Sequence, residues 1–320
     1  MLMCFVPACC EIAAMVWLAP RLLGITIIES AIMGSVVAAV SPAVVVPRML
    51  KLMEGGYGTE KSIPQLIMAG ASVDDVFVIV LFSSFTSIAR GGEISLMQLG
   101  SIPIAVALGI LGGIVLGAAL ARLLSNREVR SAAKVLILLS ASLVLLAVEK
   151  ALEAYVPFSG LLAVMAVGAT LLRLQPNTAK ELSAQFSELW AGAEILLFVL
   201  VGATVDIRFA LAAGSQVILL LLGVLVCRML GVYACMLRTS LSTKERFFCM
   251  IAYIPKATVQ AAIGGIPQAL GLECGSIVLT VAVLSILITA PLGAFGVDIT
   301  YRKWLNKNPL HVQATLQPMD

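Results

Sequence analysis

Apolar residues fill this chain in long blocks, and polar residues collect in short stretches between them. Ile102 to Ala121, Phe209 to Cys227 and Cys274 to Val297 contain no charged residue, and each reaches or approaches the ~20 residues that carry a helix across ~30 Å of hydrocarbon. The pattern predicts helices over 2–20, 24–50 (interrupted), 63–89, 97–123, 131–149, 156–174, 187–205, 210–237, 247–271 (interrupted) and 275–297, with short connections and a polar, flexible tail from Tyr301. Backbone amides in lipid are satisfied only within helices or a closed barrel. The expected class is therefore all-α: a polytopic membrane protein of about ten transmembrane helices.

Composition agrees. The 320 residues are 60% hydrophobic and 12% charged, against about 25% charged in soluble domains, and the mean hydropathy is +1.05. A scattered net charge of +3 marks no nucleic-acid surface. Seven cysteines (Cys4, Cys9, Cys10, Cys227, Cys235, Cys249, Cys274) show no paired spacing, and His311 is the one histidine. That excludes a zinc site and leaves the thiols as small buried hydrophobes. No Walker motif or other nucleotide signature is present, so neither an ATP-driven pump nor an enzyme is expected, and no cofactor. The start at Met1 lacks the basic region of a signal peptide and enters an apolar helix at once, so further sequence is expected upstream.

Basic residues give an orientation. Alternate segments hold Arg48, Lys51, Lys61; Arg122, Arg127, Arg130, Lys134; Arg173, Lys180; Arg238, Lys244, Arg246; and Arg302, Lys303, Lys307, while the opposite segments hold only Arg21, Arg90, Lys150 and Arg208. The positive-inside rule then places the C-terminus, and with ten helices the N-terminus, in the cytosol. The two remaining bases, Arg228 and Lys256, fall inside spans, as do Glu11, Asp74 and Asp75. An ionisable group at membrane depth costs several kcal/mol unless paired or hydrated, so each is a functional-site candidate. Glu29 and Glu194 lie nearer helix ends, where solvation suffices. The stripe Gly109, Gly113, Gly117 has the small-xxx-small spacing of close helix packing.

Two predicted helices are interrupted by proline, which removes an amide donor and crowds the preceding turn. One carries Ser41, Pro42 and Pro47, with the break expected near 41–47; the other carries Pro255, Lys256 and Thr258, with the break near 254–258. The first is the middle helix of the first three, the second the middle helix of the last three, and the alternating topology runs them in opposite directions. Paired, antiparallel broken helices are the mark of an inverted-repeat transporter, whose half-helix ends face the transported ion. The chain then divides into a first core half (1–90), linker and scaffold helices (91–206), a second core half (207–300) and a cytosolic tail (301–320).

Asp74 and Asp75 sit side by side in mid-span and point about 100° apart on a helix. A hard monovalent cation takes oxygen ligands, and at a carboxylate removed from water it competes with protons for the same atoms. Competition at one site, opened alternately to each side, suffices for antiport. Arg228 does not deprotonate and needs a lasting partner; Glu11, on the equivalent helix of the first triplet, is the natural one. Lys256 reads as compensation for a helix-end dipole.

The stretch SPAVVVPRMLKLMEGGYGTEKSIPQLIMAGASVDDV, from Ser41 to Val76, resembles the cation/proton antiporter superfamily, and most closely the animal sodium/hydrogen exchangers of the NHA type. Ile254 to Gly264, IPKATVQAAIG, resembles the second broken helix of the same family. The resemblance extends to about residue 300. It implies Asp75 as the essential ion-binding carboxylate with Asp74 its neighbour, Na⁺ or Li⁺ bound there in exchange for H⁺, a Glu11–Arg228 core pair, and a mobile core moving against a scaffold that forms a homodimer. It also implies helices before Met1. The expected function is secondary Na⁺(Li⁺)/H⁺ antiport in a lipid bilayer. The plasma membrane is the expected location, with mitochondrial and endosomal membranes as alternatives. The competing readings are sodium-coupled symport of an organic anion, and a non-transporting short isoform that modulates a full-length paralogue.

Overall fold

The computed structural model describes residues 2–91, 96–125, 130–152, 156, 158–204 and 214–308. The helices are α1 (Val6–Leu23), α2 (Ile27–Val37), α3 (Pro42–Glu54), α4 (Ile63–Ala89), α5 (Leu96–Leu124), α6 (Ser131–Leu152), α7 (Gly160–Leu174), α8 (Pro176–Thr204), α9 (Gly214–Cys235), α10 (Thr243–Ala252), α11 (Thr258–Ile263), α12 (Ile266–Ala269) and α13 (Gly275–Trp304). Among the described residues there is no strand, only an isolated bridge between Tyr57 and Lys307, and seven stretches are long and apolar enough to cross a membrane.

Several boundaries depart from the hydropathy pattern for local reasons. The first break lies at Ala38–Ser41 rather than across 41–47. Pro42 opens α3, where its missing N–H would have had no helical partner, and Pro47 is carried inside α3 without ending it. Glu29 is a capping residue rather than a merely solvated one: Thr26 donates its N–H to Glu29 Oε2 at 2.8 Å and its hydroxyl accepts from the Glu29 N–H, a capping box. A second box, Ser242 with Glu245, starts α10 at Thr243 rather than 247. α8 begins at Pro176 instead of 187, because its first turns are polar and escape a hydropathy reading.

The expected flexible tail is partly structured. α13 runs to Trp304, buried Leu305 follows, and the strand-like segment to Asn308 pairs with the α3–α4 loop. There Gly58 N–H donates to Asn306 O at 2.9 Å and Asn308 N–H to Gly56 O at 2.8 Å. The rest of the tail, with His311, lies outside the described residues, as do Arg127 and Arg208.

The chain forms two compact units, Met1–Gly92 with Leu200–Asp320, and Glu93–Val199. In the first, α1 packs on α9 and α2, α2 on α4 and α13, and α10 on α13. Its buried apolar side chains form two clusters. One gathers Met15, Ile32, Val36, Phe82, Leu220 and Ile263; the other gathers Met3, Met49, Ile67, Met236, Phe248 and Val297. The seam between them crosses α4 between Ala71 and Val78, α9 between Val224 and Val232, and the broken helices at Ala39/Val40 and Tyr253/Val259. Asp74, Arg228 and Lys256 occupy that seam, so the charges form a layer between two apolar plugs.

In the second unit, α7 packs on α5 and α6 around Leu124, Leu138, Val167 and Leu171. The glycine stripe is the contact surface. Side chains at Gly109, Gly113 or Gly117 would strike Ser159, Ala163 and Val167 of the α7 segment, so the spacing allows the close backbone approach expected of it.

Candidate functional site

At each break a helix stops with carbonyls that have no partner in the next turn, and the next helix starts with free N–H groups. These ends carry partial charges, negative at the stopping end and positive at the starting end. In the first unit, three buried charges at the seam answer such ends. Lys256 Nζ donates to Val37 O at 2.6 Å. Arg228 donates through Nη1 to Ala38 O and through Nε to Tyr253 O at 3.1 Å. On the positive side, Asp74 Oδ2 accepts the Val40 N–H at 3.1 Å, just before α3 resumes.

The two breaks touch directly and run antiparallel. Val37 O accepts from Gln260 Nε2 at 3.2 Å, Ala39 O accepts from the same nitrogen at 2.8 Å, and four residues along, the Ser41 N–H donates to Pro255 O at 2.8 Å. The pairing therefore climbs one chain as it descends the other. Gly293 on α13 makes room for the Pro255 ring, and Gly70 on α4 makes room for the Tyr253 hydroxyl; a side chain at either would collide.

The ionisable side chains close into one network. Arg228 donates through Nη2 to Asp74 Oδ2 at 2.7 Å and through Nη1 to Glu11 Oε2 at 2.9 Å, while Lys256 Nζ donates to Glu11 Oε2 at 2.8 Å. Glu11, Asp74 and Arg228 are wholly buried and Lys256 is 1% exposed. Two acids face two bases, so the network is neutral. Charges removed from water survive only when paired and hydrogen-bonded in this way.

Asp75 stands outside that balance. It neighbours Asp74 on α4 but projects about 100° away, is partly buried, and its Oδ1 has no hydrogen-bond partner among the described residues. Asp74 Oδ1, Ser41 Oγ and Gln260 Oε1 are also buried oxygens without a partner. The Gln260 amide is oriented by the two carbonyls that its nitrogen meets, so its oxygen must face away from them. No group of three or more His, Cys, Asp or Glu side chains that could hold a metal occurs among the described residues. The seam thus carries carboxylate and neutral oxygens that are buried and without a partner among the described residues.

Of the residues singled out from sequence, Glu11, Asp74, Arg228 and Lys256 meet in the network, and Ser41 and Pro255 meet at the crossing. Pro42 starts α3. Pro47 and Thr258 add no side-chain hydrogen bond to the network among the described residues. Three participants escaped the reading: Tyr253, Gln260 and Thr289, whose Oγ1 accepts the Lys256 backbone N–H at 3.1 Å. All three are uncharged, and a neutral polar residue in an apolar helix is too common to stand out. That Asp74 and not Asp75 meets Arg228 was likewise not given by spacing, because helix geometry separates two adjacent residues without saying which one meets the arginine.

Comparison with known proteins places the chain in a family. A family model described as "Sodium/hydrogen exchanger, transmembrane" matches residues 1–303. Human sodium/hydrogen exchanger 9B2 is 33% identical over 313 residues, covering 95% of this chain and 57% of that protein. Human sodium/hydrogen exchanger 9B1 is 33% identical over 293 residues, covering 87% and 55%. The chain thus spans a little over half the length of the curated relatives it matches. Among solved structures, the sodium proton antiporter MjNhaP1 from Methanocaldococcus jannaschii at pH 8 aligns with a TM-score of 0.78 at 18% identity, over 95% of this chain and 78% of that one. At that identity the likeness shows a shared fold.

Proposed function

Because the chain belongs to the sodium/hydrogen exchanger family, we propose that it forms the ion-translocating part of an antiporter that exchanges Na⁺ or Li⁺ for H⁺ at Asp75. The observation that carries this reading is the unequal fate of two adjacent carboxylates. Asp74 is consumed by Arg228 and the Val40 N–H. Each carboxylate keeps a buried Oδ1 without a partner, but Asp75, beside a network that is already neutral, makes no ion pair or hydrogen bond among the described residues. It is the one surplus charge of the layer, and either a proton or a monovalent cation cancels it.

The same balance supports a one-for-one stoichiometry. Arg228 holds its proton permanently, and Lys256 is held by Glu11 and the Val37 carbonyl. If Asp75 alone exchanges its partner, one cation is traded for one proton and the cycle moves no net charge. The paired broken helices, each ending against the other, supply an element on which alternating access can act. The cytosolic side is read as the end bearing Arg48, Lys61 and Glu245, from the basic-residue bias along the sequence.

Reconstitution into vesicles tests the reading. Sodium- or lithium-driven proton flux is expected, unaffected by clamping the membrane potential, and lost in Asp75→Asn. Flux that survives in that variant would remove Asp75 from the central role. Flux that responds to the potential would refute one-for-one exchange.

A further inference from the structure

The two repeats can be aligned through their hydrogen bonds. In the first, the Val40 N–H donates to Asp74, 34 positions further on; in the second, the Lys256 N–H donates to Thr289, 33 positions further on, each at 3.1 Å. Both donors lie two residues before the helix that resumes, at Pro42 and at Thr258. Both acceptors lie in the middle of the third helix of their triplet, α4 and α13. The first helices agree as well, since Glu11 precedes Val40 by 29 positions and Arg228 precedes Lys256 by 28. Thr289 therefore stands in the second repeat where Asp74 stands in the first.

We propose that Thr289 is a positioning residue for the ion site, the neutral counterpart of Asp74, acting through Lys256. Its side chain is buried, and its hydroxyl donates to Ser285 O at 2.7 Å. With the proton committed there, a lone pair is left for the Lys256 N–H. That bond fixes the backbone from which the Lys256 side chain reaches both Val37 O and Glu11. A second carboxylate at this position would accept the same N–H but would add a negative charge to a layer already in balance. A hydroxyl does the work without the charge. The consequence for ion binding rests on the exchange reading above; the positioning of Lys256 does not.

The test uses the whole chain and two measurements: thermal melting without sodium, and the sodium concentration that half-saturates proton flux in vesicles. Thr289→Val is nearly isosteric but cannot accept the N–H. It should lower the melting temperature and raise half-saturating sodium by roughly three- to tenfold, the fold-change of one lost hydrogen bond. Thr289→Ser should restore both values. In a Lys256→Met background, Thr289→Val should no longer change half-saturating sodium, and its effect on melting should shrink, since residues that act through one another are not additive. The proposal is overturned if Thr289→Val matches the unmodified chain, if Thr289→Ser is as damaging as Thr289→Val, or if the valine effect persists undiminished without Lys256. Should the unmodified chain show no sodium-dependent flux, the exchange reading fails, and the melting comparison alone decides the positioning role: non-additivity upholds it and full additivity refutes it.

Discussion

The first helix triplet (α1 to α4) and the last (α9 to α13) share one construction and divide its charges. Each has a leading helix with one buried charge, a middle helix that breaks, and a third helix whose side chain accepts an N–H from the break. The first supplies both acids, Glu11 and Asp74; the last supplies both bases, Arg228 and Lys256. Neither triplet could bury its own charges alone, because an unpaired ion in the membrane interior costs several kcal/mol. Their complementarity makes the core an obligate pair of repeats. The remaining difference lies at the third helix, where a carboxylate in one repeat faces a hydroxyl in the other. Asp75, next to that carboxylate, has no charged counterpart in the second repeat.

The strongest way to break the comparison is to remove one side of the division. Arg228→Met leaves Glu11 and Asp74 with less than their share of positive charge and should cost about 3–5 kcal/mol, read as loss of monodisperse folded protein and a large fall in melting temperature. Exchanging the pair, Glu11→Arg with Arg228→Glu, should recover only part of this. Asp74 also depends on the guanidinium and would then face a like charge. Full recovery would show that Asp74 is not a true member of the network.

A smaller effect contrasts the core with the second unit, which joins its helices by close packing. Gly113→Leu would drive a side chain into Ala163 and Ala166, and overpacking of this kind costs about 1–3 kcal/mol. Melting of the double variant with Arg228→Met should be additive, since the two sites share no partner; strong coupling would mean that the two units do not store stability separately.

The smallest effect sharpens the edge of the core. Burial opposes ionisation of Glu245, but hydrogen bonds from Lys61 at 2.8 Å and from the Ser242 N–H outweigh it, so this carboxyl is held below the usual carboxylate range. A depressed value means that the stabilisation is complete above the unfolded carboxyl's pKa of about 4.3 and fades as pH falls through the lower folded value. Glu245→Gln should therefore cost under about 1 kcal/mol at neutral pH, with the difference in melting temperature closing in acid. A difference that widens in acid would contradict the depressed ionisation.

How much of this was legible in the residues depends on how costly each feature is in lipid. Glu11, Asp74, Asp75, Arg228 and Lys256 stood out because a charge in an apolar run demands an explanation. The prolines announced interrupted helices, yet the first break settled upstream of both of them, at residues 38–41, since Pro42 is at home in a helix's first turn. Gln260 and Thr289 carried no such warning, although each holds backbone groups of the crossing in place.

Apolar runs, the prolines within them and the charges they enclose pointed from sequence to an all-helical membrane protein with two matched broken helices and a few charges at membrane depth, because the energy of removing a group from water is a property of the residue itself. Which charge meets which, and that Asp74 is ion-paired while Asp75 is not, was decided only when α1, α4, α9 and both breaks came together in space. Pairing depends on the direction and distance between side chains more than 150 positions apart, and no local pattern along the chain encodes that.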